Sequence, residues 1–166
     1  MKTKFTCVIV ILGFMATGCD KEKQVEPENS SVDLINDQFP GAQAEVREVL
    51  DGIFGSIQEK DADKLISNHI YGEKFTEFRD SERRTGGAEN EQYERGFVGA
   101  ISAFEYELED LKIDVFGDVA IATFHADFRP TIGEDTLQIW GSVTLVLVKI
   151  GDTWKITHEH FSPLNV

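Results

Sequence analysis

Apolar and polar positions along the chain change period several times, and each change marks an element. From Ala42 onward, Val46, Val49, Leu50, Ile53, Phe54 and Ile57 recur at the spacing of one helical face. Gly52 and Gly55 interrupt this helix at about 1 kcal/mol each relative to Ala, so close packing against a sheet or a second helix is expected there. Asp61 stands where it would cap a short second helix reaching Asn68, with Leu65 and Ile66 inward. Phe75 to Arg79 reads as a strand, and charged Asp80 to Asn90, with Gly86-Gly87, as a loop. Glu91 to Phe104 reads as a third helix with Phe97, Val98, Ile101 and Phe104 as its stripe. The period then falls to two. Phe104, Tyr106 and Leu108 alternate with Glu105, Glu107 and Glu109, after which the apolar parity flips to Leu111, Ile113 and Val115. That flip predicts a β-bulge near Glu109 and Asp110. Gly117-Asp118 turns the chain into a strand from Val119 to Arg129, and Pro130 to Asp135 turns it into Thr136 to Ile150. Gly151-Asp152-Thr153 leads into the last strand, Trp154 to Ser162, and no internal repeat is present.

Val143 to Ile150 is apolar on both faces, so both need cover: helices or a pocket on one side, a second subunit on the other. Strict alternation along the last strand puts Trp154, Ile156, His158, His160 and Ser162 on one face. Two further strand faces carry candidate chemistry. His125, Asp127 and Arg129 share one, where Asp127 would hold a His tautomer and Arg129 would meet an anionic ligand; a solvated outer face explains these three equally well. Trp140, Ser142 and Thr144 share the other, an aromatic wall with hydroxyl donors. These nine residues are the candidate pocket. His125, His158 and His160 have the ligand types for a three-His zinc site, but pocket lining explains the pair equally well, so neither metal nor cofactor is expected.

The Glu59-Lys-Asp-Ala-Asp-Lys-Leu65 link, the Gly117-Asp-Val-Ala120 turn and above all Lys149-Ile-Gly-Asp-Thr-Trp-Lys-Ile-Thr-His-Glu-His-Phe-Ser162 resemble the SnoaL-like branch of the nuclear transport factor 2-like superfamily. The resemblance runs from about Gln43 to Pro163. It implies a cone-shaped α+β fold in which three N-terminal helices pack in a strongly bent antiparallel sheet around a pocket. It also implies dimerisation through the sheet. In the ketosteroid isomerase branch a Tyr of the first helix binds an oxyanion; the corresponding turn here is Ile53-Phe54, and that helix has no Tyr. Related domains place an Arg after the Gly of the penultimate strand, whereas Gly141 is followed by Ser142, leaving Arg129 as a substitute. No nucleophile with its base, no paired carboxylates at readable spacing and no cofactor loop is visible. The sequence therefore favours a non-catalytic module binding a small polar or aromatic molecule. The alternative is an isomerase, cyclase or dehydratase using His158 or His160 as general acid/base.

The N-terminus changes the setting. Lys2 and Lys4 precede an apolar run from Phe5 to Phe14, too short to span a bilayer, and Ala16-Thr17-Gly18 precedes Cys19. This resembles a bacterial lipoprotein signal at 1–18, with lipidation of Cys19. Residues 19–38 read as a polar tether, reaching about 25 Å as a flexible coil, and 39–166 as the folded domain. Asp20-Lys-Glu-Lys23 resembles the acidic export signal of surface lipoproteins in Bacteroidetes-type bacteria. Outer membrane or cell surface is therefore expected; the other reading of Asp20 is retention at the inner membrane. Removing Lys2 and Lys4 from 16 basic residues leaves 14 against 30 acidic ones, a net charge of −16. That excludes nucleic acid as a partner and leaves the lipid as the only membrane contact. Cys7 departs with the signal and Cys19 is acylated, so no disulfide is available.

Overall fold

The computed structural model describes residues 32–164. The signal at 1–18, Cys19 and the tether as far as residue 31 lie outside the described residues. Residues 32–38, the last part of the expected tether, include a turn in which the Asp33 carboxylate accepts from the amides of Ile35 and Asn36. Helix α1 then runs Pro40–Glu59, started by Pro at its first position and stopped by Lys60 in the left-handed region. Val46, Leu50, Ile53, Phe54 and Ile57 form its buried face. A Cβ built on Gly52 or Gly55 meets nothing within 4 Å, so neither glycine is there for close packing.

Helix α2, Ala62–Ile66, is capped by Asp61, whose side chain accepts from the Lys64 amide. Strand β1, Thr76–Arg79, precedes helix α3, Gly87–Ala100. That helix begins four residues before the expected Glu91, because Gly86 and Gly87 start it rather than fill a loop; Phe104 belongs to the following strand. Strands β2 (Ala103–Phe116), β3 (Val119–Ile132), β4 (Asp135–Thr136), β5 (Ile139–Ile150) and β6 (Thr153–Pro163) complete the chain. Sheet order is β1-β6-β5-β3-β2, with β4 paired to β3.

The sheet is mixed, not antiparallel throughout: β1 runs parallel to β6, with Thr76 opposite His158 and Phe78 opposite His160. β1 reaches β6 through α3 and strands β2 to β5 rather than through a hairpin, which permits the parallel sense. Two bulges bend the sheet. The first lies between Glu109 and Lys112, with Asp110 at φ 51°, where the change of parity places it. The second is in β6: Leu147 faces Ile156, but Val146 faces His158, leaving Thr157 unpaired. It sits beside Asn68 to Ile70, which docks on β6 through Ile156 N–H to Asn68 O at 2.9 Å and Ile70 N–H to Ile156 O at 2.8 Å. One face of the sheet packs Phe104, Phe124, Val143, Leu145, Leu147, Trp154 and Ile156 against α1 and α2.

Candidate functional site: an aromatic cavity with a carboxyl–imidazole end

Between the helices and the sheet lies a cavity of two lobes, about 170 and 240 Å³, which share Ile57, Leu65, Glu77, Glu94, Phe97, Phe128, Glu159 and Phe161. The inner lobe is walled by the rings of Phe54, Phe97, Phe104, Phe124, Phe128 and Phe161. The outer lobe adds Arg79, Asp80, Asn90 and Tyr93. A space of this size and lining suits a compact, mainly apolar molecule held by a few polar groups.

The bulge at Thr157 decides which β6 side chains reach that space. Up to Ile156 the even-numbered residues face the core; past the extra residue, Glu159 and Phe161 do. His158 instead meets Thr76, with Nδ1 2.8 Å from Oγ1, and both His158 and His160 lie edge-on to exposed Phe78. His160 is exposed and touches the cavity only at its rim. The remaining candidates line no part of it. Ser142 lies opposite both His125 and Ser162, Thr144 opposite His160, and Trp140 opposite Asp127, all alternating with the cavity-facing Phe124, Phe128, Val143 and Leu145. Arg129 binds Asp127 at 2.6 Å and Gln138 donates to the same carboxylate, so Arg129 does not replace the missing pocket Arg and Asp127 orients no His. Ser142 Oγ, 3.2 Å from Nδ1, is the partner of His125. Eight of the nine residues thus lie on the face of the sheet turned away from the cavity, and His160 alone of the nine reaches its lining. Nor do His125, His158 and His160 bring three metal-ligand atoms together.

The cavity has a different polar end. His69, in the segment that docks on β6, has a fully buried side chain stacked on Tyr71 with ring centroids 5.0 Å apart. Its Nδ1 donates to Leu65 O at 3.1 Å, which leaves Nε2 facing Glu159 Oε1 at 3.0 Å and Glu94 Oε1 at 3.4 Å. Because a carbonyl and a carboxylate only accept, the ring donates from both nitrogens and is an imidazolium. Asn90 donates to Glu159 Oε2 at 3.0 Å, and the Tyr71 hydroxyl donates to Glu94 Oε2. Toward the mouth, Arg79 binds Glu77, donates to Asn90 Oδ1 at 3.2 Å and lies 3.1 Å above the centre of the Tyr93 ring. Asn90, Glu94 and Phe97 fall at i, i+4 and i+7 of α3, one face turned to the cavity. Gly87 lets the helix start there: a Cβ would lie 2.8 Å from Tyr71 Cα.

Electrostatics follow from this packing. Burial pushes the Glu94 carboxyl up to about 7, and the Glu159 charge adds to it. Burial pulls the His69 imidazole down, but the hydrogen bond and charge of Glu159 and the charge of Glu94 outweigh it, so its net shift is upward. Burial, then the Glu94 charge, pushes the Tyr71 phenol far above its ordinary value. His69, Glu94 and Glu159 offer one ligand atom each within 4.8 Å of one another, the separation a metal ion would need. In this structure hydrogen bonds among the three side chains already occupy those atoms.

Sequence reasoning missed His69, Tyr71, Asn90 and Glu94. A usable signal was present in Asn90, Tyr93, Glu94 and Phe97, which continue the apolar stripe of the third helix at helical spacing.

An α+β fold whose curled mixed sheet and helices border an aromatic cavity is the class of protein that these elements define. The SnoaL-like domain family matches residues 46–165, and the chain belongs to it. No curated protein matches the chain. Among solved structures, one named as a dehydratase of the nuclear transport factor 2-like family, from Streptomyces avermitilis, is 16% identical with a TM-score of 0.69, covering 76% of this chain and 98% of that one. A nuclear transport factor 2-like superfamily protein from Salmonella enterica is 20% identical with a TM-score of 0.66, covering 76% and 93%. A Novosphingobium aromaticivorans protein named as a scytalone dehydratase is 12% identical with a TM-score of 0.63, covering 75% and 85%. At these identities the likeness is one of fold.

Proposed function

We propose that the domain is an acid–base enzyme of the dehydratase or isomerase type, acting on a compact, mainly apolar molecule, with Glu94 as the group that moves the proton. The observation that carries this reading is a carboxyl group, pushed up to about 7, on the wall of a phenylalanine-lined cavity. A general acid or base works best with its pKa near the working pH, and burial beside a second carboxylate is how proteins arrange that. His69 has a positioning role: anchored on Leu65 O, it holds Glu159 and Glu94 side by side. The names of two fold neighbours as dehydratases agree with this chemistry. The visible cluster is what turns the reading from binding alone toward catalysis.

Glu94→Gln keeps the shape and removes the titrating proton. Loss of water from small cyclic alcohols and hydroxy ketones should then slow by about 10²–10⁴-fold, with melting temperature nearly kept. A variant as active as wild type would take Glu94 out of this role. Carboxyl-carbon NMR needs no substrate and should show Glu94 titrating near 7; a titration in the ordinary carboxylate range would remove the acid altogether.

We further propose that the domain is held at the outer membrane or cell surface through lipid on Cys19. Expressed with its own signal in a bacterium, the protein should enter the detergent phase on Triton partitioning, and Cys19→Ser should return it to the aqueous phase. Wild-type protein found in the aqueous phase would refute the anchor. The outer sheet face around half-buried Thr144, Val146 and Val148 is our proposed seat for a second copy, and light scattering giving a monomer at micromolar concentration would exclude it.

A further inference from the structure

The cavity has an unbalanced set of charges. Glu77, Glu94 and Glu159 line it, with Asp80 at the outer lobe, and among the described residues His69, behind Glu94 and Glu159, and Arg79 oppose them. Both cations are engaged. His69 lies between Glu159 and Glu94, and Arg79 is bound by Glu77 and Asn90 beneath the Tyr93 ring. The neutral donors are engaged too, the Tyr71 hydroxyl on Glu94 and the Asn90 amide on Glu159. An anion entering the space would meet these carboxylates as like charges while losing its own hydration. Four carboxylates against two cations leave two unmatched, and these draw either protons or a positively charged visitor. Aromatic rings supply the rest of the wall, and their faces attract cations. Arg79 on Tyr93 is an instance of a positive group already resting on such a face.

We infer that this cavity selects apolar molecules that carry, or develop during reaction, a positive charge, and that it rejects anions. The inference rests on reading the cavity as a substrate site, and it names the kind of substrate: an uncharged alcohol that ionises toward a carbocation rather than toward an enolate. In that reaction Glu94 gives its proton to the hydroxyl oxygen as the C–O bond breaks and water departs with the electron pair. The Glu94 carboxylate then takes a proton from the adjacent carbon, whose C–H pair becomes the double bond. Alcohol becomes alkene and water, and Glu94 ends as it began. Positive charge on carbon is stabilised by Glu94, Glu159 and the rings, whereas an enolate oxygen would face the same carboxylates as a like charge.

Three probes of one shape test this: naphthylmethylamine, naphthylmethanol and naphthoate, each titrated calorimetrically into the full-length protein in detergent at pH 8. The amine should bind at least ~10-fold more tightly than the alcohol, and the alcohol more tightly than the carboxylate. Glu94→Gln should bring the amine down toward the level of the alcohol, whereas Glu107→Gln on exposed β2 should leave the amine advantage in place, which separates cavity binding from attraction to the acidic surface. Naphthoate binding as tightly as the amine, or an amine advantage that survives Glu94→Gln, overturns the inference and leaves the cavity as a binding site. Failure of all three probes to bind overturns the substrate-site reading itself, and this inference with it.

Discussion

Replacing His69 by alanine should destabilise the domain by about 3–5 kcal/mol, because it removes the cation between two half-buried carboxylates. The imidazole is fully buried and its two nitrogens serve Leu65 O and the Glu159–Glu94 pair, so its loss leaves a void and uncompensated charge together. The pH dependence carries the signature. The His69 pKa is raised, so its stabilisation is complete below the ordinary imidazole value of 6.5 and is lost as pH rises through the folded value. Glu94, raised from 4.5 to about 7, likewise favours the fold while protonated, a contribution present below 4.5 and gone above about 7. Both terms have the same sign. Urea unfolding of the wild type should therefore show stability falling from pH 5 to pH 8, and His69→Ala should flatten that slope as well as lower the whole curve. Equal slopes for the two proteins would show that His69 takes no part in the titration.

Gly141→Ala should cost about 1–3 kcal/mol and reshape the cavity. A Cβ at Gly141 points straight into the Phe161 ring, whose Cδ2 would lie 3.0 Å away with two ring atoms closer still. Phe161 belongs to both lobes and stacks on Phe128 with centroids 6.3 Å apart, so it cannot retreat without moving the wall that a ligand would touch. A melting temperature should fall and affinity for naphthylmethylamine should change in the same variant. Both remaining at wild-type values would mean that the ring has room to turn aside.

Local signals foretold most of the frame. The buried face of α1, the Asp61 cap, the Gly117 and Gly151 turns and the bulge at Asp110 are written in short windows, where propensity, capping and alternation act on neighbours. The terminal motif is also what carries the resemblance to the SnoaL-like family. The site was hidden for a non-local reason. Nothing within Trp154 to Ser162 announces that Thr157 is left unpaired; that bulge lies where the backbone of Asn68 to Ile70, nearly ninety residues earlier in the chain, binds Ile156. One residue's slip reversed every side chain beyond it, sending His158 and His160 outward and Glu159 inward. The third helix misled in a second way. Its Gly86-Gly87 start resembles a loop, yet Gly87 is what lets the helix carrying Asn90 and Glu94 approach Tyr71 and His69.

The edge of the sheet has a consequence for how many copies can share a crowded space. β2 is an outermost strand of 14 residues, long enough to recruit a strand from another molecule through the backbone groups that Gln43, on Ile113 O, and Gln58, on Phe104 O, leave open. Exposed Glu105, Glu107 and Glu109 run along it, and the bulge at Asp110 twists the strand just where the row ends. Two such strands brought side by side would set carboxylates against carboxylates and kink against kink. The border thus keeps concentrated protein from joining edge to edge into fibres, and neutralising those three glutamates would expose it to aggregation long before it unfolded.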